Sequence, residues 1–341
     1  LYNNPLTNTM YFGLTEVYKR KKELPQQGDI WSDIWEIDSD LGKDLLMHER
    51  QIIEFVICES DTNTAYAITA GDPPIVGSHL FKTTIGGSNG VFDPNSIFYE
   101  QLEFPGNGTI GEQYPILTGI TVDPMNKDRI WISYTGYIAE YKVWYSDDGG
   151  ISWVNSDPNG SLNNLPVNAI AYQYGTPDRI YIGTDAGVYT RDSLSTDWEK
   201  YGDFPNVRVT ELKINYCANK IRVATFGRGV WEGDLVEYQG NYVKEIDDDI
   251  ILNTNLALKG SLKINDGATL TLKKQINIPA NHKIIIQPGG KLILDGGTLT
   301  NGCGDIWQGI EVWGNPNATQ IPANQGILQV INGGTIENAE V

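Results

Sequence analysis

Cysteine, histidine and methionine occur three times each in 341 residues, and bases are outnumbered by acids 25 to 43. His48, His79 and His282 are far apart, and no Cys-x-x-Cys or Cys/His cluster accompanies them, so no metal-ligand spacing is present. Cys58 (FVICES), Cys217 (INYCANK) and Cys303 form an odd set in largely apolar context; buried free thiols are expected, neutral as to redox compartment. No run of 18 apolar residues exists, which argues against a membrane-inserted helix. A net charge of −18 repels phosphate backbones and anionic lipid, so nucleic acid is a poor partner. There is no G-x-S-x-G, H-E-x-x-H or phosphate-binding glycine loop, and no cofactor is implied. A signal peptide is also missing, and the chain opens LYNNPLTN without an initiating Met, as expected of a piece of a longer polypeptide.

What is abundant is glycine, at 37, and aromatics, with 9 Trp, 18 Tyr and 8 Phe. This composition, with no convincing helical period, favours an all-β protein. Its acids are unevenly placed: residues 1–249 hold 37 acids and 19 bases, residues 250–341 six of each. Composition therefore sets a boundary near residue 250.

One stretch, YSDDGGISW (145–153), has Ser146, Asp148, Gly150 and Trp153 in the order S-x-D-x-G-x-x-W, the complete Asp-box pattern. Asp and Ser oxygens fold back onto nearby N–H groups, and Gly takes φ > 0. A stapled hairpin turn is expected, with Asp148 consumed by its own backbone and Trp153 packed beneath. These four residues are structural candidates, not catalytic ones.

The strongest signal is repetition. DRIWIS (128–133) returns as DRIYIG (178–183), each followed by a second strand, KVWYS or GVYTR. Looser pairs are MYFG with EVYKR, AYAI with HLFKT, and IRVAT with GVWEG. Second strands starting at Val17, Leu80, Val143, Val188 and Val230 give a basal period of about 45 residues, that of a four-stranded propeller blade. Tryptophan recurs after them at Trp31, Trp153 and Trp198, and FKTTIGG (81–87) reads as a copy without it. Residues 1–236 are thus blades of a small propeller or the last blades of a larger one, and the polar, acidic stretch 237–249 reads as a solvated linker.

Residues 10–235 resemble the bacterial-neuraminidase-repeat propellers, a superfamily of sialidases, xyloglucan-active hydrolases and sortilin-type receptors. ATFGRGVWEGDL (224–235) resembles closing strands in large exported Bacteroidetes proteins. Superfamily membership does not fix activity.

Beyond 250, DGATL (266–270) returns as DGGTL (295–299) and NGGTI (332–336), with PGGKLIL (288–294) between. Alternating Leu270/Leu272, Ile276/Ile278, Ile284/Ile286 and Leu292/Leu294 point inward on short strands. Residues 250–341 read as the start of a right-handed parallel β-helix, incomplete at Val341, with a narrow sandwich as the alternative. GDIWQGIEVWGN (304–315) resembles β-helical passages of exported Bacteroidetes proteins; Trp307 and Trp313 are expected to pack in or between coils rather than stack on sugar.

A sialidase needs an arginine cluster and a tyrosine nucleophile with a carboxylate partner. There are eight arginines; Arg129 and Arg179 share one repeat position and read as architecture. A glycosidase needs only two well-spaced carboxylates, and 37 candidates before residue 250 nominate no pair. The resulting expectation is an exported cell-surface or extracellular multidomain protein, a non-catalytic binding, adhesion or structural module. The resemblance implies passage through type IX secretion. Expected partners are surface glycans or other cell-surface proteins, besides the export machinery, and the alternative is a carbohydrate-active glycoside hydrolase.

Overall fold

Segments such as AYAITA and NKDRIWISYT combine β-branched and aromatic residues with polar turns, and they form strands that bury on both faces. The structure is a computed structural model that describes residues 51–61, 63–71, 77–84, 100–107, 115–236, 243–253, 255–304 and 306–340. It also gives the backbone of the strands Tyr2–Asn4, Thr9–Gly13, Val17–Arg20 and Trp35–Ser39. Among the described residues the only helical elements are 3-10 turns at Tyr216–Ala218 and Pro322–Asn324. Two units result: one of 1–172, 179–213 and 222–233, the other of 173–178, 214–221 and 234–341.

The first unit is built of blades. Four sheets have four strands each in sequence order, and the fifth has Val209–Asn215, Lys220–Thr225 and Gly229–Asp234. Every strand pair expected from the repeat lies side by side in one sheet. Register joins Ile68 to Leu80, Ile132 to Trp144 and Ile182 to Tyr189. Neighbouring blades bury a shared core in which Tyr66, Ile68 and Leu80 meet Leu117, Ile130 and Tyr134. The chain is thus all-β, with propeller blades, as expected; Trp31 and residues 85–87 of the FKTTIGG copy lie outside the described residues.

The second unit contains a parallel solenoid of three faces. One face stacks Lys244–Ile246, Leu262–Ile264, Ile284–Ile286 and Ile310–Val312; a second stacks Ile250–Leu252, Thr269–Leu272, Lys291–Asp295 and Ile327–Ile331. The third stacks Leu256–Ala257, Gln275–Ile278, Thr298–Asn301 and Thr335–Ile336. All of these strand pairings are parallel, so the sandwich alternative fails. Like residues sit over like: Leu252, Leu272, Leu294 and Val330 form one inward column, and Leu256, Ile276, Leu299 and Ile336 another.

The glycine doublets make the corners. The first Gly of each has positive φ (Gly289 83°, Gly296 72°, Gly333 79°). A Cβ on the second would strike a carbonyl of the coil below: Ile264 O from Gly290 at 2.7 Å, Leu272 O from Gly297 at 2.5 Å, Leu294 O from Gly334 at 2.7 Å. Coil stacking needs both glycines for different reasons.

Two expectations change. The solenoid starts at Lys244, inside the stretch expected as linker, because alternating Lys244–Ile246 already matches the register of Leu262–Ile264. Asp247 and Asp249 are not merely solvated: they accept from Asn265 Nδ2 at 2.6 Å and Thr269 N at 2.8 Å of the next coil. The cysteine expectation holds for Cys58, buried and free, but Cys217 and Cys303 are disulfide-bonded across 86 residues of sequence within the second unit.

Candidate functional site

The turn at 146–153 is held by its own side chains. Ser146 Oγ accepts from Gly150 N at 2.8 Å and donates to Asp148 Oδ1 at 2.7 Å. Asp148 Oδ1 accepts from Ile151 N at 3.0 Å and Ser152 N at 2.8 Å, and its Oδ2 from Ser152 Oγ at 2.5 Å. Donation from Ser152 above all holds this carboxyl far below the usual range. Gly150 has φ 95°. Asp148 is therefore ionised and engaged by the turn that it closes.

Trp153 donates from Nε1 to Glu103 O at 3.0 Å, just beyond the outer strand of the preceding blade. Trp198, one blade on, does the same to Ser156 O at 2.9 Å. The recurring tryptophan is thus an inter-blade tie as well as an apolar anchor. Arg179 pairs with Asp192 and Arg129 with Asp147, each on its own hairpin, so the two arginines serve equivalent structural places.

Glu54, on the strand Ile52–Ile57, has a raised pKa, about 7. Burial is the main cause; Glu211 adds to it and Lys213, itself 3.0 Å from Glu211, opposes it. This is the chemistry of a proton donor. Nothing in the local sequence IIEFVI distinguishes it, because the desolvation comes from residues distant along the chain.

The second unit holds a cavity of about 980 Å³. Its floor is the outward side of the first solenoid face, since strand alternation directs Glu245, Lys263, Ile285 and Glu311 away from the core. Lys263 bonds Glu245, and Lys283 donates to Glu311 at 2.6 Å; these contacts hold both carboxyls below their ordinary range. His282 sits beside Ser261 Oγ at 3.2 Å, and burial pushes its pKa down, leaving it neutral at pH 7. Also lining it are Tyr216, whose ring carries Lys259 Nζ 5.3 Å from its centre and whose hydroxyl accepts from Tyr174 N at 2.9 Å, and the Cys217–Cys303 disulfide.

Trp307 and Trp313, paired in expectation, part company. Trp307 is fully buried and donates to Glu337 O at 2.9 Å, a core residue as expected. Trp313 is 45% exposed and lines the cavity, because alternation after inward Ile310 and Val312 turns it outward. The pattern IEVW carried that signal. The disulfide had none, since nothing in 86 residues of separation specifies a pairing. Among the described residues no group of three or more His, Cys, Asp or Glu is placed to hold a metal ion.

The fold defines an all-β protein in which propeller blades precede a parallel β-solenoid. No family model and no curated protein matches the sequence. Among solved structures the chain is similar to an ancestral GH74 enzyme, at 13% identity and TM-score 0.46, covering 68% of this chain and 30% of that one. It is similar to the extracellular domain of a hybrid two-component system from B. thetaiotaomicron, at 14% identity and TM-score 0.45, over 68% and 26%. A nidogen/laminin complex gives 10% identity and TM-score 0.41 over 64% and 69%. The chain spans under a third of the first two.

Proposed function

We propose that this chain belongs to an exported, cell-surface or extracellular protein and acts there as a non-catalytic binding or adhesion module. One observation carries the reading: the Cys217–Cys303 disulfide, a bond that persists in oxidising compartments and is rare in the cytosol. Among the described residues no helix is long and apolar enough to cross a membrane. Binding is favoured over catalysis by the carboxyls at the cavity: Glu245 and Glu311 are ionised and lysine-paired, suited to accepting hydrogen bonds and unsuited to donating a proton. Surface glycans or other cell-surface proteins are the proposed partners, with type IX secretion as the export route and an Asp-box ancestry for the blades.

A second reading, a glycoside hydrolase, is favoured by one observation, the raised pKa of Glu54 among the blades. The two are separated by incubating the chain with sialosides and with plant and bacterial glucans. The binding reading expects no product. Turnover abolished by Glu54→Gln would establish the hydrolase instead.

A further inference from the structure

We infer that the cavity of the second unit is an oligosaccharide-binding site whose stacking platform is Trp313; the inference rests on the binding reading above. Trp313 is fixed in place before any ligand arrives. Its N–H donates to Ile286 O at 2.9 Å, its carbonyl accepts from Gly326 N at 2.7 Å, and its indole N–H donates to Glu311 Oε2 at 3.1 Å. Both backbone groups and the ring's polar edge are thus engaged while 45% of the residue stays in water. An indole held this way presents a flat apolar face that loses little freedom when something covers it.

The surroundings select what covers it. Glu311 accepts from both Lys283 and Trp313, so an acceptor and a cationic donor stand next to the indole. Gln287, Gln308 and Asn219 add amides that both donate and accept. A pyranose ring has this dual character: C–H groups on one face that pack on an aromatic ring, and hydroxyls around its rim that donate and accept. Lining charges nearly cancel, with Lys259, Lys263 and Lys283 against Glu245 and Glu311 and with His282 neutral, so a polyanion gains little there. The volume, about 980 Å³, lies at the top of the ~300–1,000 Å³ range of small-molecule sites and admits more than one ring.

The test is a glycan array probed with the whole chain, followed by titration calorimetry of a captured oligosaccharide. Trp313→Ala should weaken its Kd by about tenfold or more, and Trp313→Phe by much less, because a benzene face still stacks. Both variants should melt with the wild type, as the side chain is not core. An unchanged Kd in Trp313→Ala would overturn the site while leaving the binding reading intact. Capture of cell-surface proteins with no glycan on the array bound would overturn the ligand class and again spare that reading. Hydrolysis of the captured glycan would defeat the non-catalytic reading while the Trp313 assignment stood.

Discussion

The column Leu252, Leu272, Leu294 and Val330 repeats one packing position in four successive coils and lets coil stacking be measured. Leu294 is fully buried, with Leu272 beneath it and Val330 above; Val330 is 46% exposed. Leu294→Ala removes three carbons from a site closed on both sides, so transfer and cavity terms add to about 2–5 kcal/mol. Val330→Ala removes two methyl-sized groups worth about 0.8 kcal/mol each when fully buried. Roughly half of that applies at a half-exposed site, and no closed cavity forms, so the cost stays under ~1 kcal/mol. The two units need not unfold together, so the assay is amide exchange on peptides from 262–301, which reports local opening free energy. Leu294→Ala should accelerate exchange in coils on both sides of it, and Val330→Ala should leave them nearly protected. Equal costs for the two variants, or a Leu294→Ala effect confined to its own strand, would refute the stacked-column reasoning.

Cutting the disulfide, by reduction or by Cys303→Ser, should cost the second unit about 2–4 kcal/mol, because it closes a loop of 86 residues; calorimetry that shows no change on reduction would contradict this. Glu54 gives a pH signature. Its folded pKa, about 7, lies above the ordinary 4.5, so the folded state holds the proton more tightly. Stability should fall as pH rises from about 4.5 to 7, and Glu54→Gln should flatten that fall; thermal melts across this window read the difference. Trp198→Phe keeps the apolar bulk but drops the indole hydrogen bond to Ser156 O, which still accepts from Arg191 Nη1, for a loss of about 0.5–1.5 kcal/mol in urea unfolding of the first unit. A silent Trp198→Phe would remove the inter-blade tie from the argument.

Local chemistry was legible in the sequence and long-range geometry was not. The pairs DRIWIS/KVWYS and DRIYIG/GVYTR announced hairpins because strand, turn and strand lie within a few residues. The Asn/Asp-Gly corners announced coils because one backbone position requires φ > 0 and its neighbour the absence of a Cβ. Even the tryptophan of YSDDGGISW was recognisable as an anchor; its bond to Glu103 O, 50 residues earlier, was not. The same limit explains the rest. Glu54 is perturbed by burial and by Glu211 and Lys213 from a strand far along the chain, and Cys217 meets Cys303 only because the second unit folds as it does. The acidic stretch before residue 250 misled for a different reason: its carboxylates looked like those of a solvated linker, yet Asp247 and Asp249 bond the coil that follows.

The reading of an exported module with a covalently closed second unit is tested most directly by protease shaving of intact cells with non-reducing peptide mapping of what is released. The account expects surface-released fragments that include a peptide pair linked through Cys217 and Cys303. Recovery of the protein only in the soluble cytosol, with both thiols free to alkylate, would contradict it.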